Sequence, residues 1–210
     1  MARLGGRDVA ALADQQIPGM VVWTTYIAVD DVDSTVAKAL AAGGTVPMEP
    51  MDVMTFGRMA VVTDPGGAAV SFWQAGEHKG ADLVNEPVTL CWNELTTRAV
   101  EESLTFLDAV VGLKGHKIDA GGADHYELQL PSGRTVGGLM PMEGDMWPPE
   151  LPNHWMVYFA VEDADATAAR AQELGGQVPV PPTDIPPGHF AVLNDPQGGN
   201  FSIIELAQPI

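Results

Sequence analysis

The chain has 210 residues, 46% hydrophobic and 18% charged, which is enough for one large domain or two small ones with a real core. Its 28 acidic residues against 10 basic give a formal charge of −18 and leave no Lys/Arg cluster for a phosphate backbone, so no nucleic-acid partner is expected. No apolar run approaches the roughly 20 residues of a membrane-spanning helix, and a single cysteine, Cys91, argues against a disulfide framework or a thiolate metal cluster.

The first residues, MARLGGRDVAALADQQ, lack the basic flank and apolar core of a secretory signal, so the expected compartment is cytoplasmic. LGGRDVAALAD is similar to the later LPSGRTVGGLMPM, with Arg7 against Arg134, Val9 against Val136 and Leu12 against Leu139. It reads as the tail of a module whose opening strand and helix are missing. Exposed strand edges invite pairing, which favours a homodimer.

The next segment has a clear grammar. A strand is expected over Thr24–Val29, then a helix capped by Asp31 or Asp33 that ends at Gly43-Gly44, where glycine accepts the left-handed cap. A short Val-containing strand, a Pro-rich turn, a strand over Met59–Val62, an Asp64-Pro65 turn and a strand over Ala69–Trp73 complete a βαβββ order.

The middle of the chain repeats this order more weakly. Val88–Leu95 reads as a strand with Cys91 as a buried thiol, and Thr96 or Thr97 as the cap of a helix in which Val100, Leu104, Leu107 and Val111 recur on one face before Gly112. His125–Leu130 and Thr135–Met140 read as a hairpin around Pro131-Ser132-Gly133. The last third answers the first: YIAVDDVDSTVAKALAAGGTVPMEPMDV from Tyr26 recurs as YFAVEDADATAARAQELGGQVPVPPTDI from Tyr158, and GRMAVVTDPGGAAVSF as GHFAVLNDPQGGNFSI. Its strands are expected over Met156–Val161, Phe190–Leu193 and Phe201–Leu206, with Asp163 as helix cap.

Repeated βαβββ modules with an Asp-Pro turn resemble the vicinal-oxygen-chelate superfamily of glyoxalases, bleomycin-resistance proteins and extradiol dioxygenases, over nearly the whole chain. The resemblance implies an α+β fold in which paired modules form half-open barrels, each with a ligand cup. It implies an N-terminal domain over residues 1–80 with a truncated first module, a linker over 81–87 and a C-terminal domain over 88–208.

Metal-dependent relatives take a His, Gln or Glu from a module's first strand, seven residues before the helix-opening Asp, and a Glu from its last strand, seven after the Asp of the Asp-Pro turn. Here the first-strand positions carry Thr24, Trp92 and Met156, and the last-strand positions Ser71 and Ser202. None is a usual hard-metal ligand. No metal or other cofactor is therefore expected, with a divalent metal at His154, two residues before Met156 on the same strand face, as the secondary reading. Glu127 and Glu205 enter that reading only through a register shift, and an odd shift turns a side chain to the other face.

No nucleotide-binding glycine loop, HExxH or GxSxG motif is present. The candidate ligand-pocket residues are Trp92, His125, Glu127, Met140, Trp147, His154, Met156, Tyr158, Phe190 and Ser202, with Met142, Met146 and Trp155 as further apolar lining. The segment Met146-Trp147-Pro148-Pro149 is a candidate lid, because a Trp in a Pro-rich loop is hard to place in a core. The expected function is binding of a small organic molecule in a βαβββ cup without the usual metal site. The alternative is a metal-dependent or metal-free enzyme of the same superfamily, a lyase, dioxygenase or hydroxylase.

Overall fold

The computed structural model describes residues 1–14, 21–119, 124–145 and 147–208; Met146 of the candidate lid lies outside them. The chain opens with an antiparallel hairpin, β1 (Ala2–Leu4) and β2 (Arg7–Ala10). The first module follows as β3 (Tyr26–Ala28), α1 (Val32–Ala41), β4 (Thr45–Val53), β5 (Gly57–Thr63) and β6 (Ala69–Ala75). The second is β7 (Leu90–Thr97), α2 (Val100–Val111), β8 (Lys114–Asp119), β9 (Asp124–Gln129) and β10 (Thr135–Pro141). The third is β11 (His154–Ala160), α3 (Ala164–Glu173), β12 (Gln177–Ile185), β13 (Gly188–Asn194) and β14 (Asn200–Leu206).

All three modules order their strands alike, with the last strand parallel to the first and an antiparallel meander beyond it: β3-β6-β5-β4, β7-β10-β9-β8 and β11-β14-β13-β12. The register is equivalent as well. Tyr26 pairs with Ser71, Tyr158 with Ser202, and Glu94 with Gly138. The hydrophobic faces and turn residues of each repeat thus specify one supersecondary unit three times.

The helix caps explain where α1 and α3 begin. Asp31 accepts a bond from the Ser34 N–H at 2.7 Å and Asp163 from the Ala166 N–H at 2.7 Å, in extended backbone. A second cap comes from the last strand: Gln74 accepts from the Val32 N–H at 3.0 Å, and Glu205 from the Ala164 N–H at 3.2 Å. Glu205 therefore faces the helix, away from the sheet surface that carries Ser202 and Ile204.

Two expectations are corrected. The Pro-rich stretches are not turns; Pro47 and Pro50 lie within β4, and Pro179, Pro181 and Pro182 within β12. Both strands end their module's order and carry register shifts, where a missing N–H donor is tolerated. The cap of α2 is neither Thr96 nor Thr97: β7 runs on to Thr97, Ala99 occupies the N-cap with no side-chain cap bond, and Thr97 Oγ1 accepts from the Ala99 N–H at 3.0 Å just ahead of it. The second module also contains β8, which the sequence pattern did not announce.

The chain forms two compact units, one of Met1–Trp23, Gly80–Trp92 and Met156–Ile210, the other of Thr24–Lys79 and Asn93–Trp155. The first holds the hairpin and most of the third module. On the α3 side of its sheet, Ala164, Ala168, Ala191, Leu193 and Ile203 form a core with Phe201 at its margin. Trp23 stacks there edge-on against Phe159 at 5.1 Å between ring centroids and donates its indole N–H to Asp195 at 3.3 Å.

The second unit holds the first module and most of the second around a shared core. Val32, Val36, Ala39, Val62, Val70 and Phe72 from the first meet Leu95, Phe106, Leu107, Val110, Leu128 and Leu139 from the second. A buried polar tie crosses this core: Asp64 accepts from Ser103 Oγ at 2.5 Å and from the Ala68 N–H at 2.8 Å.

Candidate functional site

Strand alternation gives each sheet one face against its helix and one without. In the unit that contains the third module, Cys91, Tyr158, Ala160 and Ile204 form a buried cluster, with Trp92, Met156, Ile185, Phe190 and Leu206 partly buried around it; Tyr158, Ala160 and Ile204 belong to the helix-free face. Four sequence candidates, Trp92, Met156, Tyr158 and Phe190, thus meet in one cluster. Ser202 joins the same face opposite Tyr158, but it is fully enclosed, and its Oγ has no hydrogen-bond partner among the described residues. Cys91 donates its thiol to the Tyr158 carbonyl at 3.4 Å, and burial pushes the thiol up to about 12, which makes it a packing residue and not a nucleophile.

The other unit has a polar counterpart. On β9, His125, Glu127 and Gln129 alternate with Tyr126, Leu128 and Leu130, which pack into the core, so the three polar side chains share the helix-free face. Met140 lies on that face of β10 by the same alternation with Leu139. The row Glu94, Gly138, Glu127 runs straight across β7, β10 and β9, and Gly138 has no side chain to separate the two carboxyls. His125 Nε2 stands 3.0 Å from Glu94 Oε1, with the Glu94 side chain only 7% exposed and that of His125 21%. Burial lowers the His125 pKa, and the Glu127 charge works against that shift. Glu127 is held in turn by Gln129 Nε2 at 2.9 Å and Thr135 Oγ1 at 3.0 Å.

Two candidates remain, His154 and Trp147. His154 starts β11 with Nδ1 2.8 Å from the Pro152 carbonyl. Trp147 is half-buried in a loop tied down by Arg98, whose guanidinium donates to the carbonyls of Leu151 at 2.6 Å and Pro148 at 2.8 Å. Glu94 was missed by the sequence reading. Its signal was only its place inside an expected strand, next to the apolar Leu95.

The donor set does not fit the metal that the resemblance implies. The strand positions concerned carry hydroxyl, indole and thioether side chains, where catalytic divalent metals rely on imidazole and carboxylate. Among the described residues no group of three or more His, Cys, Asp or Glu side chains is placed to hold a metal ion.

Comparison with known proteins agrees with the module architecture. The family model described as Glyoxalase/Bleomycin resistance protein/Dioxygenase superfamily matches residues 10–72 and 87–203. The chain is 49% identical over 99% of its length to "Putative glyoxylase CFP32" of Mycobacterium bovis, spanning 80% of that protein. It is 37% identical over 97% of its length to "Anthracycline biosynthesis protein DnrV" of Streptomyces peucetius, spanning 78% of it. Among solved structures, the Mn(II)-bound glyoxalase from Novosphingobium aromaticivorans superposes with a TM-score of 0.56 at 19% identity, over 88% of this chain and 65% of that one. The 2,3-dioxygenase LapB from Pseudomonas sp. KL28 gives 0.53 at 14% identity, over 85% of this chain and 68% of that one. At such identities the structural likeness concerns the fold alone.

Proposed function

The chain belongs to the glyoxalase/bleomycin resistance protein/dioxygenase superfamily, and from that premise we propose that it binds a small organic molecule on its helix-free sheet surface without the superfamily's metal site. The observation that carries this reading is the cluster of Trp92, Met156 and Phe190, partly buried around Tyr158, of which Trp92 and Met156 stand at strand positions where a metal site would need His or Glu. Aromatic and thioether side chains favour flat apolar ligands through stacking and dispersion, and methionine adapts to irregular shapes. The relative named for anthracycline biosynthesis supports a polycyclic aromatic ligand as the class to try first.

The test combines elemental analysis of untagged protein, after dialysis against Mn, Fe, Ni and Zn salts, with a titration of an anthracycline followed by tryptophan fluorescence. The expected outcome is metal well below one ion per chain and saturable quenching, weakened at least about tenfold by Phe190→Ala, since removing one stacking ring and its buried area costs over ~1.4 kcal/mol. Near-stoichiometric metal that disappears in His154→Ala overturns the metal-free reading. Failure of the anthracycline and of simpler flat aromatics to bind overturns the ligand-binding one.

A further inference from the structure

The first and third modules repeat one charged frame with two residues changed. In the first, Asp33 lies in the opening turn of α1, and Arg58 of β5 stands across the ladder from Asp52 of β4 and Gln74 of β6. The Arg58 guanidinium donates to Asp33 at 2.8 and 3.0 Å and to Asp52 at 2.8 Å. A permanent cation thus ties the helix to the end of the sheet. The third module keeps both aspartates, as Asp165 in the opening turn of α3 and Asp184 in β12. At the matching ladder positions it has His189 of β13 for the arginine and Glu205 of β14 for the glutamine.

We propose that this second frame is a proton-operated strap: the His189 imidazolium fastens the first turn of α3 to the ends of β12 and β13, and loss of its second ring proton releases the helix.

The geometry supplies the reason. His189 Nδ1 is bonded to Asp184 Oδ1 at 2.6 Å, Nε2 stands 3.3 Å from Asp165 Oδ2, and Glu205 is the direct ladder partner. Three carboxylates therefore face the ring, from β12, α3 and β14. A carboxylate only accepts, so the bond to Asp184 keeps a proton on Nδ1. A charged ring attracts Asp165 as well. A neutral ring with its N–H on Nδ1 turns a lone pair towards Asp165, and that attraction is lost.

The bond to Asp184 raises the His189 pKa, burial works against it, and the charges of Asp184, Asp165 and Glu205 raise it further. The strap is therefore fastened below the ordinary value of about 6.5 and opens as pH rises through the higher folded value. Arg58 has no such transition, because a guanidinium stays charged. The Asp165 and Asp184 side chains are largely exposed, so screening confines the effect to local opening. The strap lies behind the apolar cluster, since Asp184 and His189 are followed directly by Ile185 and Phe190.

The test is amide exchange of the full chain by NMR between pH 6 and 9, with the charge of His189 read from its ring 15N shifts. Thr167 of α3 and Thr35 of α1 hold equivalent places, each N–H bonded at 3.1 Å to the carbonyl of the capping aspartate, so their ratio cancels the intrinsic pH dependence. As His189 loses its charge, exchange at Thr167 relative to Thr35 is expected to rise about two- to fivefold, the range of an exposed ion pair. His189→Arg, which copies the first module, is expected to hold the ratio low throughout, and His189→Gln to hold it high. A flat ratio while the native His189 titrates overturns the proposal, as does a His189 whose charge is constant over this range. The same rise in His189→Arg, or a low ratio in His189→Gln, overturns it equally.

Discussion

His125 and His189 show how one residue type takes opposite roles from its surroundings. Burial lowers the His125 pKa, whereas that of the partly buried His189 is raised, first by its bond to Asp184 at 2.6 Å and further by the charges of Asp184, Asp165 and Glu205. For His125 the unfolded chain takes up its proton first, near the ordinary pKa of about 6.5. Its contribution is therefore unpenalised above that pH and is lost as pH falls towards its lower folded value. For His189 the sign is reversed: stabilisation is present below about 6.5 and is lost as pH rises through its higher folded value. Urea unfolding of the native protein and of His125→Gln at pH 5.5 and 7.5 checks the first statement. The variant is expected to lose more stability relative to the native protein at pH 7.5 than at pH 5.5.

At the scale of elements, each helix must stop, turn and let a strand lie beneath it within two residues. Gly44 shows what that demands. A Cβ there would stand 2.6 Å from the Thr63 carbonyl oxygen and 2.8 Å from Phe106 Cε2. The first is backbone and the second a fully buried ring, so neither yields easily. Gly44→Ala is expected to cost about 1–3 kcal/mol through overpacking, read as a lower thermal midpoint. Its counterpart Gly176 meets the Asn194 carbonyl at 2.7 Å in the third module. The Gly pairs were legible in the sequence as helix stops. Their second role, close approach of the following backbone, was not, because it depends on which strand runs beneath. The Pro-rich strands teach the complementary lesson. A local pattern read β4 and β12 as a short strand followed by a Pro-rich turn, but a strand at the end of the module's order needs fewer N–H donors, and only the strand order reveals that position.

At the scale of the molecule, the first and second modules depend on one another. Phe106 of α2 belongs to the same core as Val32 and Phe72 of the first module, and the Ser103 bond to Asp64 ties α2 to the first module's Asp-Pro turn. Phe106→Ala is expected to remove about 3–5 kcal/mol. Hydrogen exchange should show protection falling in α1 and β5 as well as in α2, while loss confined to α2 would mean that the two modules unfold independently.

The sequence by itself determined the module grammar: the βαβββ order, the Asp163 cap and an acidic cap at Asp31 or Asp33, the Asp-Pro turns and the residue types at the strand positions where a metal would bind. These are encoded within a few neighbouring residues, by spacing, by capping side chains, by the backbone freedom of Gly and by the locked φ of Pro. Tertiary structure alone decided that Glu94 and His125, 31 positions apart in the sequence, meet at 3.0 Å across a glycine gap, and that Glu205 caps a helix instead of facing the open surface. The physical reason is that cross-strand contact is set by ladder register, and alternation turns each side chain to one face or the other according to that register.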